Sequence, residues 1–185
     1  MRILKTRFIQ DDLDYPGVRV NLKALLERAR ISLQVDIGFG DAITPAPERL
    51  VFPALLDTAG TVIMAYPRYT AMAEKFLAIA RLGIDNSRMK DFYDMVVLFR
   101  LFDFDASLLA LAIQNTCRAR KYKISEDIPV ALTRKFCEDP AKSDLWKAFT
   151  KRAGLTVAVG DLEAVIEELR KHLLPVLEKI HRKQP

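Results

Sequence analysis

Apolar and polar positions change their period along this chain. Over residues 31–40, Ile31, Leu33, Val35, Ile37 and Phe39 alternate with Ser32, Gln34, Asp36, Gly38 and Gly40. A period of two puts the apolar set on one face of an extended segment and the small or polar set on the other, which predicts a strand. Residues 3–9 mix apolar and basic side chains, and residues 18–25 follow an acidic turn at 11–17; these two segments predict a hairpin-like pair. Pro45, Pro47, Pro53 and Pro67 mark a long irregular connection over 41–67, with a short strand at 62–65. Beyond Pro67 the apolar spacing becomes helical, and helices are expected at about 68–82, 87–102, 105–121, 142–153 and 161–182. In the last of these, Leu162, Val165, Ile166, Leu169, Leu173, Val176, Leu177 and Ile180 form one stripe. Glutamates lie early in that helix, Lys179, Arg182 and Lys183 late, as the helix dipole favours, and Pro175 is expected to bend it.

The fold class read from this pattern is α+β: a mixed sheet region over residues 1–66, then a helical domain over 67–185. With half of 185 residues hydrophobic, the chain is long enough to bury a sizeable core. No apolar run reaches the length of a membrane span, and the start is too short in apolar residues for a signal peptide. Cys117 and Cys137 offer neither a disulfide framework nor zinc spacing, so the expected setting is the cytoplasm, with no membrane partner. A net charge of +5 is compatible with a polyanionic partner such as RNA or a nucleotide, as it is with many soluble proteins.

Three places could carry chemistry. Asp36 lies mid-strand on the polar face between Gln34 and Gly38, where a carboxylate could hold a divalent cation; from this strand alone a solvated strand residue is the more ordinary reading. Lys75 shares a helix face with Ala71, Ala78, Ile79 and Leu82, so it either snorkels to solvent or reaches into a cleft as a compact positive charge. In the run from Asn86 to Asp94, Asn86 or Ser87 can cap a helix whose buried face is Met89, Phe92, Tyr93 and Val96. Asp91 and Asp94 are three apart on one side of it, within ion-pair spacing of Arg88 and Lys90, and a surface salt-bridge ladder accounts for those charges. His172 and His181 are nine apart on one helix, on opposite faces, and make no metal pair. No glycine-rich phosphate loop is present. Arg118, Arg120, Lys121 and Lys123, with Tyr122, could meet RNA phosphate or simply complement a helix dipole.

The order and wording of these segments carry more than any one of them. The run Leu33-Gln34-Val35-Asp36-Ile37-Gly38-Phe39-Gly40-Asp41, then Ala65-Tyr66-Pro67-Arg68, Ala73-Glu74-Lys75-Phe76 and Ser87-Arg88-Met89-Lys90-Asp91-Phe92-Tyr93-Asp94, closely resembles the AbiEii/AbiGii toxins. These are nucleotidyltransferases related to DNA polymerase beta, the toxins of type IV toxin–antitoxin pairs. The resemblance implies a partial nucleotidyltransferase sheet over 1–66 and a C-terminal helical domain. It implies Mg²⁺-dependent transfer of a nucleotide from an NTP to an RNA acceptor, tRNA being the one expected, and an AbiEi-like antitoxin partner. By the same analogy Asp36 matches a metal carboxylate, Lys75 the family lysine that neutralises phosphate charge, and Asp91 or Asp94 the downstream aspartate that positions Lys75 or the acceptor. Arg88 and Lys90 join Lys75 as expected nucleotide contacts.

The chain also departs from the family. Its relatives carry a Gly-Ser turn followed by Asp-x-Asp, and no Gly-Ser dipeptide occurs here. Asp12-Leu13-Asp14 reads as a loop and Asp103-Phe104-Asp105 as a helix cap. The expectation is therefore of a C-terminal part that is inactive alone, with an inactive remnant or the partner-binding half of a split enzyme as the alternative. Self-association is expected of an uncovered sheet.

Overall fold

The computed structural model describes residues 2–10, 16–55 and 59–182. The acidic turn at 11–15, with its Asp12-Leu13-Asp14, and Lys183 lie outside the described residues. The chain divides into two compact units, residues 1–41 and 42–185.

The first unit is an antiparallel three-stranded sheet in the order β1-β2-β3, with β1 Arg2–Gln10, β2 Pro16–Leu26 and β3 Ala29–Gly38. A two-residue turn at Glu27 and Arg28 joins β2 to β3, with Glu27 at φ +51°. Register follows from that turn: Val18 faces Ile37, Val20 faces Val35, Leu22 faces Leu33 and Ala24 faces Ile31. Residues directly opposite in an antiparallel pair share a face. The alternation read in 31–39 thus continues into β2 and reaches Phe8 of β1, which stands opposite Val18. The other face carries Arg7, Arg19, Asn21, Lys23, Ser32, Gln34 and Asp36.

The second unit begins with a hairpin, β4 Glu48–Phe52 and β5 Thr61–Ala65. The expected irregular connection at 41–67 therefore holds a strand that proline density concealed. Pro47 and Pro53 flank β4 and mark its ends, where a missing N–H costs nothing. The α+β class holds. All pairings among the described residues are antiparallel, in two separate sheets where one mixed sheet was expected, because both β2–β3 and β4–β5 close as hairpins.

Helices follow: α1 Arg68–Leu82, α2 Met89–Leu101, α3 Ala106–Ala119, the short α4 Arg134–Cys137, α5 Pro140–Arg152 and α6 Leu162–Arg182. The expected helices match α1, α2, α3, α5 and α6 to within two residues; α4 and 3₁₀ turns at 83–85 and 130–132 were not foreseen. Starts are set by local chemistry. Asp105 accepts from Leu108 N at 2.7 Å and so is the expected cap; Asp139 accepts from Ala141 N at 2.8 Å and is followed by Pro140, whose missing N–H costs nothing there. Asp161 accepts from Ala164 N at 2.9 Å ahead of α6. All eight residues of the α6 stripe are buried, and the helix runs through Pro175. They pack in one core with Met72, Phe76 and Ile79 of α1, Phe92 and Met95 of α2, Leu109 and Ile113 of α3, and Phe136 of α4. Arg100 of α2 ties to α6 by two bonds to Glu168, at 2.7 and 2.6 Å.

Candidate functional site

Helix α1 buries Met72, Phe76 and Ile79, and α2 buries Met89, Phe92, Met95 and Val96. With those faces committed to the core, Lys75 of α1 and the 91/94 side of α2 come together beside it. Lys75 Nζ donates to Asp91 Oδ1 at 3.0 Å and to Asp94 Oδ2 at 2.6 Å. The sequence left open whether Asp91 or Asp94 accompanies the lysine; the structure pairs it with both. Lys90 Nζ reaches the same Asp94 Oδ2 at 2.6 Å, one helical turn along, and Arg88 Nε stands 2.9 Å from Asp91 Oδ2. The cluster holds Lys75, Arg88 and Lys90 against Asp91 and Asp94, leaving one net positive charge.

Burial separates this cluster from a surface ladder. The Asp91 side chain is 8% exposed and that of Lys75 21%, so neither is solvated as a surface residue would be. A buried carboxylate is tolerable only with compensating charge and hydrogen bonds. Lys75 thus does not snorkel; its ammonium is held between two carboxylates. Burial alone would push Asp94 up, but hydrogen bonds from Lys75 and Lys90, with the charges of both, outweigh it and hold its carboxyl below the usual range. At the head of α2, Asn86 is fully buried, and its Oδ1 accepts from Arg88 N at 2.7 Å, which fixes the turn that presents Arg88.

Asp36 belongs to the first unit. Counting equally outward from the Glu27–Arg28 turn, Arg19 falls opposite it, and the pair is bidentate: Nε to Oδ1 at 2.6 Å and Nη2 to Oδ2 at 2.7 Å. Gln34 Nε2 adds a bond to Oδ2 at 3.1 Å. The guanidinium of Arg19 is the main reason the Asp36 carboxyl sits below the usual carboxylate range. The sequence reading missed Arg19, although the turn position would have located it. Both carboxylate oxygens are engaged by this arginine, and among the described residues no group of three or more His, Cys, Asp or Glu is placed to hold a metal ion. The donor set shown thus does not by itself fit Mg²⁺ at Asp36. A Cβ at Gly38 would meet nothing nearer than Asp41 Oδ2 at 3.9 Å, so local packing does not demand a glycine there.

The two histidines have structural partners. His172 stacks on Phe99 at 4.4 Å, and a ring nitrogen of His181 bonds the Ser125 carbonyl at 3.0 Å. Burial pushes the Cys117 thiol up to about 12, which leaves no thiolate for chemistry near neutral pH. Among the described residues no helix is long and apolar enough to cross a membrane.

A cavity of about 330 Å³ adjoins the α2 cluster and is lined by Ser87, Arg88, Met89, Lys90, Asp91, Leu145, Phe149 and Arg152. The α5 residues on this wall were not singled out in the sequence, where 142–153 reads only as a helix.

A family model described as nucleotidyl transferase AbiEii toxin, type IV toxin–antitoxin system, matches residues 2–173. No curated protein matches the chain.

Proposed function

Because the chain belongs to the AbiEii family of nucleotidyl transferase toxins of type IV toxin–antitoxin systems, we propose that it serves the transfer of a nucleotide from an NTP to an RNA acceptor, tRNA, in the cytoplasm. Membership of a toxin–antitoxin family implies an antitoxin partner, and we take that partner to be AbiEi-like. In the transfer, the acceptor hydroxyl oxygen attacks the α-phosphorus, the α–β phosphoanhydride bond breaks, and pyrophosphate and the hydroxyl proton are released.

The observation that carries this reading is the partly buried Lys75 held between Asp91 and Asp94, with Arg88 and Lys90 beside it. Such a cluster fixes an ammonium in one position while keeping a net positive charge, which suits binding to a triphosphate. In this role Lys75 neutralises phosphate charge, Arg88 and Lys90 extend the contact, and Asp91 and Asp94 position Lys75. By the family analogy Asp36 is the carboxylate that would hold Mg²⁺, although here Arg19 engages both of its oxygens. Since the sequence lacks the Gly-Ser turn followed by Asp-x-Asp that its relatives carry, the chain is expected to bind NTP without transferring it efficiently. A non-catalytic, partner-binding role is the second reading, favoured by the absence of that same sequence signature.

The test incubates the chain with each labelled NTP, Mg²⁺ and total tRNA, alongside equilibrium dialysis of the same NTPs. Retention of NTP that falls at least tenfold in Lys75→Met, with little label in tRNA, is expected. Robust incorporation that vanishes in Asp36→Ala would instead show a complete site, and no NTP retention at millimolar concentration would leave only the partner-binding reading.

A further inference from the structure

The cavity between the head of α2 and the end of α5 combines two chemistries. Arg88, Lys90 and Arg152 bring three positive charges to its wall, of which Arg88 pairs with Asp91 and Lys90 with Asp94, leaving one positive charge in excess, and Ser87 adds a hydroxyl. Leu145, Phe149 and Met89 bring an apolar wall. Phe149 is held in place by neighbours, Trp146 at 5.6 Å and Tyr93 at 6.0 Å between ring centroids. Tyr93 is itself anchored, its hydroxyl accepting from Val157 N at 3.2 Å. Arg152 is tethered at the end of α5 by its Nε, which donates to Ala148 O at 3.1 Å. A fixed aromatic side chain beside three cations matches a ligand with a planar ring at one end and phosphate at the other.

We propose that this cavity seats the nucleobase end of a nucleoside triphosphate, with Phe149 and Leu145 as the wall for the base and Arg152 as an additional phosphate contact. Only the choice of a nucleotide rests on the reading above; the cation set and the apolar wall stand without it. Arg88, Lys90 and Asp91 belong both to the cavity and to the Lys75 cluster, so a triphosphate could run from the cavity towards Lys75 without leaving positive charge. Size permits this, since 330 Å³ lies at the small end of ligand sites and admits a base with part of its sugar and phosphate.

The chain supplies its own reporter. Trp146 is its single tryptophan and packs on Phe149. The experiment follows Trp146 fluorescence, excited at the red edge, while ATP, GTP, CTP, UTP and inorganic triphosphate are titrated in turn without Mg²⁺ or RNA. A saturable change with at least one NTP is expected, with inorganic triphosphate tenfold or more weaker. Arg152→Glu should weaken the NTP tenfold or more, while Lys147→Glu, an exposed charge outside the cavity, should leave it unchanged. Phe149→Leu, which keeps apolar bulk, should narrow the preference for NTP over triphosphate. Equal response to inorganic triphosphate, equal effects of the two charge reversals, or saturation by a short RNA but no NTP would each overturn the proposal. Lys75-dependent NTP retention with Trp146 silent and Arg152→Glu neutral would sink this inference and spare the reading above. Arg152-dependent NTP binding indifferent to Lys75→Met would do the opposite.

Discussion

Lys75 combines a proposed task in binding with a task in folding, and the two must be separated before any loss of function is interpreted. Its ammonium is the hydrogen-bonding partner of the buried Asp91. Lys75→Met leaves that carboxylate with Arg88 as its near cation, and breaking a buried pair from one side costs roughly 3 kcal/mol, the low end of the usual range because Lys75 retains some exposure. Denaturant unfolding of Lys75→Met should show a loss of that size; a loss under about 0.5 kcal/mol would mean that Asp91 is solvated in solution. Asp94 gives a second check through pH. Its folded pKa lies below its ordinary value of 3.8, so its contribution is fully present above the unfolded pKa and is lost as pH falls through the folded one. Asp94→Asn should therefore be less stable than the parent by about 1–2 kcal/mol at pH 7, as expected for a partly exposed charged hydrogen bond. That difference should narrow as pH drops below 3.8. A gap that is constant from pH 7 to pH 2 would mean that the ion pairs do not contribute.

At the scale of elements, what could be read in advance depended on whether the cause was local. The period-two run in β3 and the eight-residue stripe of α6 were legible because each pattern repeats with the period of its own backbone, although only the α6 stripe is buried and the β3 residues stay exposed. β4 was hidden because its reason is its partner, β5, not its own composition. The Lys75 pairing was legible only through the family resemblance, which set Asp91 or Asp94 to position Lys75; helical spacing placed the two aspartates on one side but could not show that α1 delivers the lysine between both. The cavity wall at Leu145, Phe149 and Arg152 was invisible for the same reason, as it depends on α5 meeting α2. The end of α3 is a further case. Lys121 adopts φ +52°, with its N–H bonding Arg118 O at 3.1 Å and Tyr122 N bonding Cys117 O at 2.8 Å. This is a Schellman ending with lysine where glycine normally sits. A left-handed residue with a Cβ costs roughly 1–2 kcal/mol, of which glycine gives back part through its freer unfolded chain. Lys121→Gly is thus expected to raise stability by up to about 1 kcal/mol in chemical denaturation. A decrease would show that the lysine side chain contributes more than its backbone strain costs.

For the whole molecule, the open matter is an apolar sheet face that is not fully closed. Phe8 is 90% exposed, and Ile31, Leu33, Val35 and Ile37 keep 42–45% of their surface, although all of them share one face by register. Single exposed apolar residues need no explanation, but a contiguous set across β1, β2 and β3 does. β3 is also an edge strand of its sheet, and open edges act as templates for pairing. Fully burying each such side chain is worth roughly 1.5–3 kcal/mol, so covering even the remaining fraction of several adds up to a useful association energy. The charges on the opposite face, Arg7, Arg19, Lys23 and Asp36, disfavour stacking through that side and direct any contact to the apolar one. A second copy of the chain presents the same apolar patch, and a two-fold pairing of identical faces closes without leaving further patches open. We therefore expect concentration-dependent self-association of the isolated chain. Size-exclusion chromatography with light scattering, over a hundredfold dilution, should show the mass falling toward the monomer. Val35→Lys, which places a charge at the centre of the patch, should hold the monomer at all concentrations. A parent chain already monomeric throughout would show that this face needs no second copy.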